Sequence, residues 1–124
     1  MKSITYTFTT SIPSKKNSKQ IFKNKSGRMF IFSSSNYKDW QRIELLLIKS
    51  KIKERNISKC SIDYSFYSPN KRTWDLSNKI ESVNDLLVDA GILIDDNYNV
   101  LSSMIVSYNG IDKDKYCEIR INYD

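Results

Sequence analysis

The chain of 124 residues contains no histidine, only two cysteines, three glycines and two prolines. The absence of histidine removes the commonest general base and every nucleophile that a histidine would activate. A structural zinc site is excluded as well, because two cysteines without histidine are too few to hold the metal. Catalysis would therefore depend on carboxylates, lysine, tyrosine or a hard metal ion that prefers oxygen ligands.

Long hydrophobic runs are also missing. No apolar stretch approaches the ~20 residues that a membrane-spanning helix requires, and the first ten residues alternate instead of forming the apolar core of a signal peptide. We therefore expect a cytoplasmic protein with no membrane partner, in which Cys60 and Cys117 are buried core residues and not a disulfide. The length predicts one domain that covers residues 1–124.

Negative charge is absent from the first 38 residues, which carry eight lysines and arginines before the first carboxylate at Asp39. The rest of the chain has twelve basic and fourteen acidic residues, so the net charge of +6 is concentrated in the N-terminal third. Such a distribution favours binding of a polyanion, because neutralised phosphates supply most of the affinity for nucleic acid. The alternative interpretation is a solvated lysine-rich loop.

Hydrophobic periodicity predicts five strands and two helices. Alternation indicates strands over residues 3–9, 60–67, 99–108 and 117–123, and a shorter strand is expected near residues 29–32. One helix is expected to begin at Ser35, and the second to run from Leu76 to Ala90 and to end at Gly91. The order β-β-α-β-α-β-β predicts an α/β (α+β) domain with a small mixed sheet of about five strands, its last two strands being joined by a turn at Asn109–Gly110 and a loop.

Two apolar helix faces are expected to pack on this sheet. The expected core side chains of the first helix are Tyr37, Trp40, Ile43 and Leu47. Those of the second helix, spaced by four, three, four and three residues, are Leu76, Ile80, Val83, Leu87 and Ala90.

Six carboxylates gather between Asp75 and Asp96 in the segment TWDLSNKIESVNDLLVDAGILIDDNYNV. Asp75 precedes the second helix, whereas Asp95 and Asp96 follow it, so the two ends of a helix about 22 Å long meet only if the chain returns along it. Carboxylates brought together in this way would bind Mg²⁺. The alternatives are structural: Asp75 as a helix cap, Asp95 and Asp96 in an Asx turn, and Glu81 on a solvated helix face.

The run RTWDLSNKIESVNDLLVDAGILIDDNYNV, together with PSKKNSK near the N-terminus, resembles the RusA family of phage-derived Holliday-junction resolvases. The family signature is Asp-x-Asp-Asn at a helix start, an Asp-Asp pair about twenty residues later, and a basic Pro-x-x-x-Asn loop. The resemblance implies a homodimeric, Mg²⁺-dependent endodeoxyribonuclease, with Mn²⁺ as a substitute, that cuts four-way DNA junctions by paired symmetric nicks during recombination and repair. Two-fold symmetry in the enzyme would match that of the junction.

Carried over position by position, Asp75 matches the first signature aspartate, Asn78 the asparagine and Asp96 the second member of the Asp-Asp pair. Two positions depart from the pattern, because Ser77 replaces the second aspartate and Glu81 replaces the family's catalytic lysine. We expect Glu81 to restore the lost carboxylate. A nearby basic residue, Lys79 or Arg72, would stabilise phosphate charge.

From the resemblance, from these two expected replacements and from the basic N-terminal segment, we predict three sets of site residues. The catalytic set is Asp75, Asp96 and Lys79. The metal ligands are Asp75, Asp95, Asp96 and Glu81. The DNA-binding residues are Lys15, Lys16, Asn17, Lys19, Arg72 and Asn78. Two alternatives to the nuclease are a catalytically silent module that binds DNA junctions and a general basic nucleic-acid-binding protein whose acids only cap helices and turns.

Overall fold

A computed structural model describes the backbone of residues 1–14, 19–23, 29–33 and 35–124, and the side chains of residues 1–14 and 36–124. The elements in chain order are β1 (Lys2–Phe8), β2 (Lys19–Lys23), β3 (Met29–Ser33), α1 (Ser35–Lys51), β4 (Cys60–Ser68), α2 (Leu76–Asp89), β5 (Leu101–Ile111) and β6 (Cys117–Tyr123). The predicted mixed α+β class is confirmed, with two helices, but the described part contains six strands instead of five. The additional strand is β2, in which lysines flank three residues, so its alternation is too short to stand out from the surrounding basic segment.

The main sheet has the strand order β1-β6-β4-β5. The last strand, β6, pairs antiparallel with both β1 and β4, whereas β4 and β5 are parallel. Parallel neighbours need a long crossover connection, and α2 with its flanking loops supplies it. The strands β2 and β3 pair antiparallel in a separate two-stranded sheet, from Lys19 opposite Ser33 to Lys23 opposite Met29.

The predicted turn at Asn109–Gly110 is wrong. Both residues lie inside β5, where Gly110 has a φ of 104°, and β4 separates β5 from β6 in the sheet. The chain reverses after Ile111 instead, where Oδ1 of Asp112 accepts a hydrogen bond from the backbone N–H of Asp114. A side-chain acceptor two residues before its donor forms an Asx turn, which replaces the expected glycine turn.

The core lies between the sheet and the two helices. Alternate side chains of β4 are buried on the helix side: Cys60, Ile62, Tyr64 and Phe66. The predicted stripe of α2 is confirmed, since Val83, Leu87 and Ala90 are buried and Leu76 and Ile80 pack against the core. Gly91 follows the helix with a φ of 73°, a backbone conformation that glycine adopts without the steric cost of a Cβ atom.

The predicted core face of α1 is only half correct. Tyr37 and Trp40 are buried, but Ile43 and Leu47 are exposed, and the inward positions are taken by Glu44 and Ile48. The buried stripe therefore runs one residue later than hydrophobicity suggests. Glu44 tolerates this position because two hydroxyl groups donate hydrogen bonds to its carboxylate.

Both cysteines are free and buried, as predicted. They lie near opposite ends of the β4–β6 pair, where Cys60 faces Tyr123 and Cys117 faces Phe66. In the part of the chain that the structure describes, neither helix is both long and apolar enough to cross a membrane.

Candidate functional site

A cavity of about 620 Å³ opens at the carboxyl end of β4, where the chain enters α2. In the following it is called the site cavity. Its walls come from four parts of the chain: the segment after β1 (Ser11, Ile12 and Ser14), the end of β4 with the loop that follows it (within Phe66 to Asp75), the first turn of α2 (Asn78 and Lys79), and Tyr116 before β6. Clefts outside the carboxyl ends of strands are where α/β folds commonly bind ligands, because loops and helix N-termini meet there.

The loop that leads into α2 is shaped by short polar contacts. The Ser68 hydroxyl donates to the backbone carbonyl of Asn70, and Oδ1 of Asn70 accepts the backbone N–H of Arg72 at 2.9 Å. This turn places Arg72 at the wall of the site cavity. Asn70 also lines the cavity, and its serine-proline-asparagine context is a turn signal in the sequence.

Asp75 stands at the N-cap position of α2 in an extended conformation, but its side chain makes no capping hydrogen bond. The structural alternative for Asp75, a helix cap, is therefore not the role that this carboxylate has here. Its Oδ2 instead accepts a long contact of 3.5 Å from Nδ2 of Asn78. The exposed carboxylate of Asp75 thus lines the site cavity together with Asn78, at the N-terminal end of α2.

Lys79 lies on the inner side of the first turn of α2. Its ammonium group donates to the backbone carbonyl of Ile12 and stands 5.6 Å from the ring centroid of Trp74. Burial lowers the pKa of this ammonium below its usual range. One turn further on, the Ser82 hydroxyl donates to the carbonyl of Pro13 at 2.6 Å, so α2 holds the segment after β1 against the cavity.

Trp74 is a cavity residue that the sequence analysis did not single out. Its ring packs edge-on against Phe66 and Tyr108, with centroid distances of 5.6 and 6.1 Å. The feature of the sequence that could have indicated Trp74 as a cavity residue is its position directly before Asp75. A tryptophan held in this way gives the cavity one rigid wall and positions the carboxylate that follows it.

Asp95 and Asp96 lie outside the site cavity, in the connection between α2 and β5. Asp95 accepts the backbone N–H of Asp96 and the side-chain amide of Asn97, and the Asx turn of this loop is formed two residues later, where Oδ1 of Asn97 accepts the backbone N–H of Asn99. Partial desolvation raises the pKa of the Asp96 carboxyl, and a hydrogen bond with Asp95 and the charge of Asp85 raise it further. Asp75 and Asp96 are thus associated with opposite ends of α2, which has fourteen residues and a length of about 21 Å.

Glu81 is exposed and does not line the site cavity. The structure thus brings four of the candidate residues together, Arg72, Asp75, Asn78 and Lys79, and leaves Glu81, Asp95 and Asp96 outside. Lys15, Lys16 and Asn17 lie outside the described residues. Lys19 begins β2, in a stretch where only the backbone is described.

All fourteen carboxylates belong to the described part of the chain, and in that part no three Asp, Glu or Cys side chains are arranged so that they could hold a metal ion. Within the described residues, the expected ligands Asp75, Asp95, Asp96 and Glu81 are thus not gathered into one group, and binding of Mg²⁺ stays a prediction. The charged groups at the cavity wall are Arg72, Lys79 and Asp75, which leaves one net positive charge. Neither the comparison with models of protein families nor that with curated proteins finds a match to this chain.

Proposed function

We propose that the protein is a structure-selective DNA endonuclease that acts on four-way junctions and binds the backbone phosphate to be cut in the site cavity. One observation carries this proposal: Asp75 and Asn78, two of the residues that the resemblance assigns to the site, line the same cavity as the basic residues Arg72 and Lys79. Three of these four residues lie at or in the first turn of α2, and the loop before it supplies the fourth.

The cavity suits a phosphodiester group. The guanidinium of Arg72 can donate two parallel hydrogen bonds to phosphate oxygens, and Lys79 adds a second positive charge. Uncapped N–H groups at the start of a helix favour anions because of their orientation and the helix dipole. Asp75 is the one negative group at this wall, so its carboxylate must have a purpose other than phosphate affinity.

We assign to Asp75 the orientation and deprotonation of the attacking water. A carboxylate beside a bound phosphate can orient a water molecule and accept its proton when the water attacks phosphorus, while the P–O bond to the leaving deoxyribose oxygen breaks and that oxygen takes a proton from solvent. Asn78 lies 3.5 Å from the same carboxylate and restrains its direction. Binding at Arg72 and Lys79 would hold the phosphate in place during this attack and stabilise the charge that develops on its oxygens.

Contacts beyond the cavity would come from the basic N-terminal third. Ser14 lines the cavity, and Lys15 and Lys16 follow it directly in the sequence. A DNA strand that leaves the cavity along this segment would meet further positive charges without meeting a carboxylate before Asp39. A DNA substrate and two unpaired thiols are both in keeping with a cytoplasmic protein.

The test is cleavage of a synthetic four-way DNA junction beside a linear duplex of the same arm sequence. Wild type, Asp75→Asn and Asp114→Asn are each incubated with Mg²⁺, with Mn²⁺ and with EDTA. Asp114 is an exposed carboxylate in the β5–β6 loop and serves as the matched control. In Mg²⁺ or Mn²⁺, we expect wild type and Asp114→Asn to nick the junction symmetrically. Asp75→Asn should produce no nicks. Equal cutting by all three proteins would contradict the assignment of Asp75.

A junction-binding module without catalysis is the second candidate function. It is favoured by the neutral Ser77 in place of a signature aspartate and by the position of Glu81 outside the cavity, where it does not restore the lost carboxylate. Gel shifts of the same samples separate this candidate from the nuclease. A pure binder would retain the junction without any nicked product in Mg²⁺ or Mn²⁺, and Asp75→Asn would bind more tightly because it removes the negative charge from the cavity.

A further inference from the structure

The site cavity is larger than a phosphate group requires. Its volume of about 620 Å³ lies within the range of ~300–1,000 Å³ that is typical of pockets enclosing a whole small ligand. Charged groups form only part of its wall, because three partly exposed aromatic residues line it as well: Tyr67, Trp74 and Tyr116. A phosphate group makes no use of aromatic rings, whereas every nucleobase has a π-face that can stack on them.

Trp74 is the aromatic residue best placed to hold a base. Its indole is fixed without any ligand, since it makes edge-on contacts with Phe66 and Tyr108 at centroid distances of 5.6 and 6.1 Å. Tyr108 is held in turn, because its hydroxyl group forms a hydrogen bond of 2.5 Å with that of Ser68. A ring that is already ordered loses little conformational freedom when a ligand stacks on it, so binding costs less.

The indole of Trp74 lies beside the groups that would hold the phosphate. The ammonium of Lys79 stands 5.6 Å from the ring centroid, and Asp75 is the next residue in the chain, with its Cα atom about 3.8 Å away. Arg72 comes two residues earlier and lines the same cavity. A ligand that contacts the indole and these basic groups at once must join a flat aromatic group to a phosphate over a short distance. A nucleotide has this combination.

We propose that the site cavity binds a whole nucleotide of the DNA strand, with its phosphate at Arg72 and Lys79 and its base, out of the helical stack, against the indole of Trp74. This inference rests on the proposed function and identifies the substrate of the same site as a nucleotide with an unstacked base. Taking a base out of its stack costs least where the base is unpaired or poorly stacked. Stacking is interrupted at the branch point of a four-way junction, so the cavity itself would favour a junction over a linear duplex.

The first test compares two small ligands by NMR titration of the full chain: deoxyadenosine monophosphate, and deoxyribose 5-phosphate, which lacks the base. Wild type should bind the nucleotide at least about tenfold more tightly, because stacking of one base on an aromatic side chain contributes that much affinity. Trp74→Leu should bind both ligands equally. Tyr98→Leu, at an exposed tyrosine outside the cavity, should keep the wild-type ratio.

Three outcomes of this titration would overturn the proposal. They are equal binding of the two ligands by wild type, an unchanged preference in Trp74→Leu, and no nucleotide binding at about 10 mM. Retained binding of deoxyribose 5-phosphate shows that Trp74→Leu still forms the phosphate site. Trp74→Phe keeps an aromatic ring at this position and should retain most of the preference for the nucleotide.

The second test leaves Trp74 unchanged and locates the base directly. A four-way junction carries the photoreactive base 5-iodouracil at the nucleotides next to the branch point, one at a time, and a linear duplex carries it in the same sequence. Each DNA is irradiated in complex with Asp75→Asn, and mass spectrometry identifies the attached residue. We expect attachment to Trp74 from the junction and at least about tenfold less from the duplex. Attachment only to other residues, or equal attachment from both DNAs, would contradict the proposal.

Neither test is read from cleavage, so failure of the base site is distinguishable from failure of the proposed function. Nicking of the junction by wild type without attachment to Trp74 would retain the nuclease and reject the base site. Attachment to Trp74 without nicking by wild type would support the base site in a protein that only binds junctions.

Discussion

The phenolic hydroxyl of Tyr6 donates a 2.9 Å hydrogen bond to the carboxylate of Glu44, which is almost completely buried between β1 and α1. Thr10 donates to the other carboxylate oxygen at 2.8 Å. Burial, followed by the charge of Glu44 and this hydrogen bond, raises the pKa of Tyr6, so Tyr6 stays a donor far into the alkaline range. The pair fixes α1 to the sheet through a polar contact inside an apolar core.

Removing one partner of this pair should destabilise the fold. Tyr6→Phe leaves one oxygen of a buried carboxylate without its donor, and we expect the free energy of unfolding to fall by about 1.5–3 kcal/mol. Urea unfolding measures this change. Tyr98→Phe, at an exposed tyrosine, is the matched control and should change stability by less than about 0.5 kcal/mol. Equal effects of the two substitutions would show that the hydrogen bond to Glu44 contributes nothing.

The ammonium of Lys79 should titrate below the ordinary lysine pKa of 10.5. Because burial lowers its pKa in the folded state, the unfolded chain binds more protons between that lowered pKa and the ordinary value of 10.5. Stability contributed by this group should therefore rise as the pH rises through that window. NMR of the lysine side chains locates the titration, and Lys79→Met should delete that resonance. A Lys79 signal that titrates at or above the ordinary pKa of 10.5 would contradict the burial argument.

Phosphate binding at the site cavity predicts a specific change in salt dependence. Arg72→Met removes one phosphate contact, so junction binding should weaken and the slope of log K against log salt should decrease in magnitude by about 0.7–0.9. Lys113→Met removes the same charge from an exposed loop residue outside the cavity and should leave the slope nearly unchanged. Identical slopes for both variants would indicate a diffuse charge effect instead of a phosphate site.

The two thiols should be inert in the folded protein. Burial raises the pKa of Cys60, and burial together with the charge of Glu118 raises the pKa of Cys117 to about 12, so little thiolate forms near pH 8. An aromatic disulfide reagent should detect two thiols in urea and far slower reaction without it. Rapid native reaction of either cysteine would mean that the β4–β6 region opens readily.

Local patterns in the sequence predicted much of this structure. The alternation of β4 and the stripe of α2 depend on neighbours a few residues apart, and both are confirmed. The face of α1 was predicted wrongly because the burial of Glu44 depends on Tyr6 and Thr10, which lie 38 and 34 residues away. The position of β6 between β1 and β4 is equally non-local, so the last two strands looked like a hairpin.

The candidate site also has one part that local sequence predicts and one part that depends on distant residues. Arg72, Asp75, Asn78 and Lys79 lie within eight positions of one another, and their meeting follows from the loop and first turn of α2. The distance from Asp75 to Asp96 depends instead on the path after Gly91, where Ile57 and Leu93 form a bridge before the chain reaches Asp96. No spacing in the sequence encodes that bridge.

The central place of β6 has a consequence for the order of folding. This strand comes last in the chain, yet it supplies the hydrogen bonds that connect β1 to the rest of the main sheet. During synthesis, β1 cannot pair until more than a hundred further residues have been added and β6 has been made. Pairing between strands so far apart in sequence slows folding. We therefore expect the newly made N-terminal third, with eight basic residues and no acidic residue, to be exposed to other components of the cell before the main sheet can form.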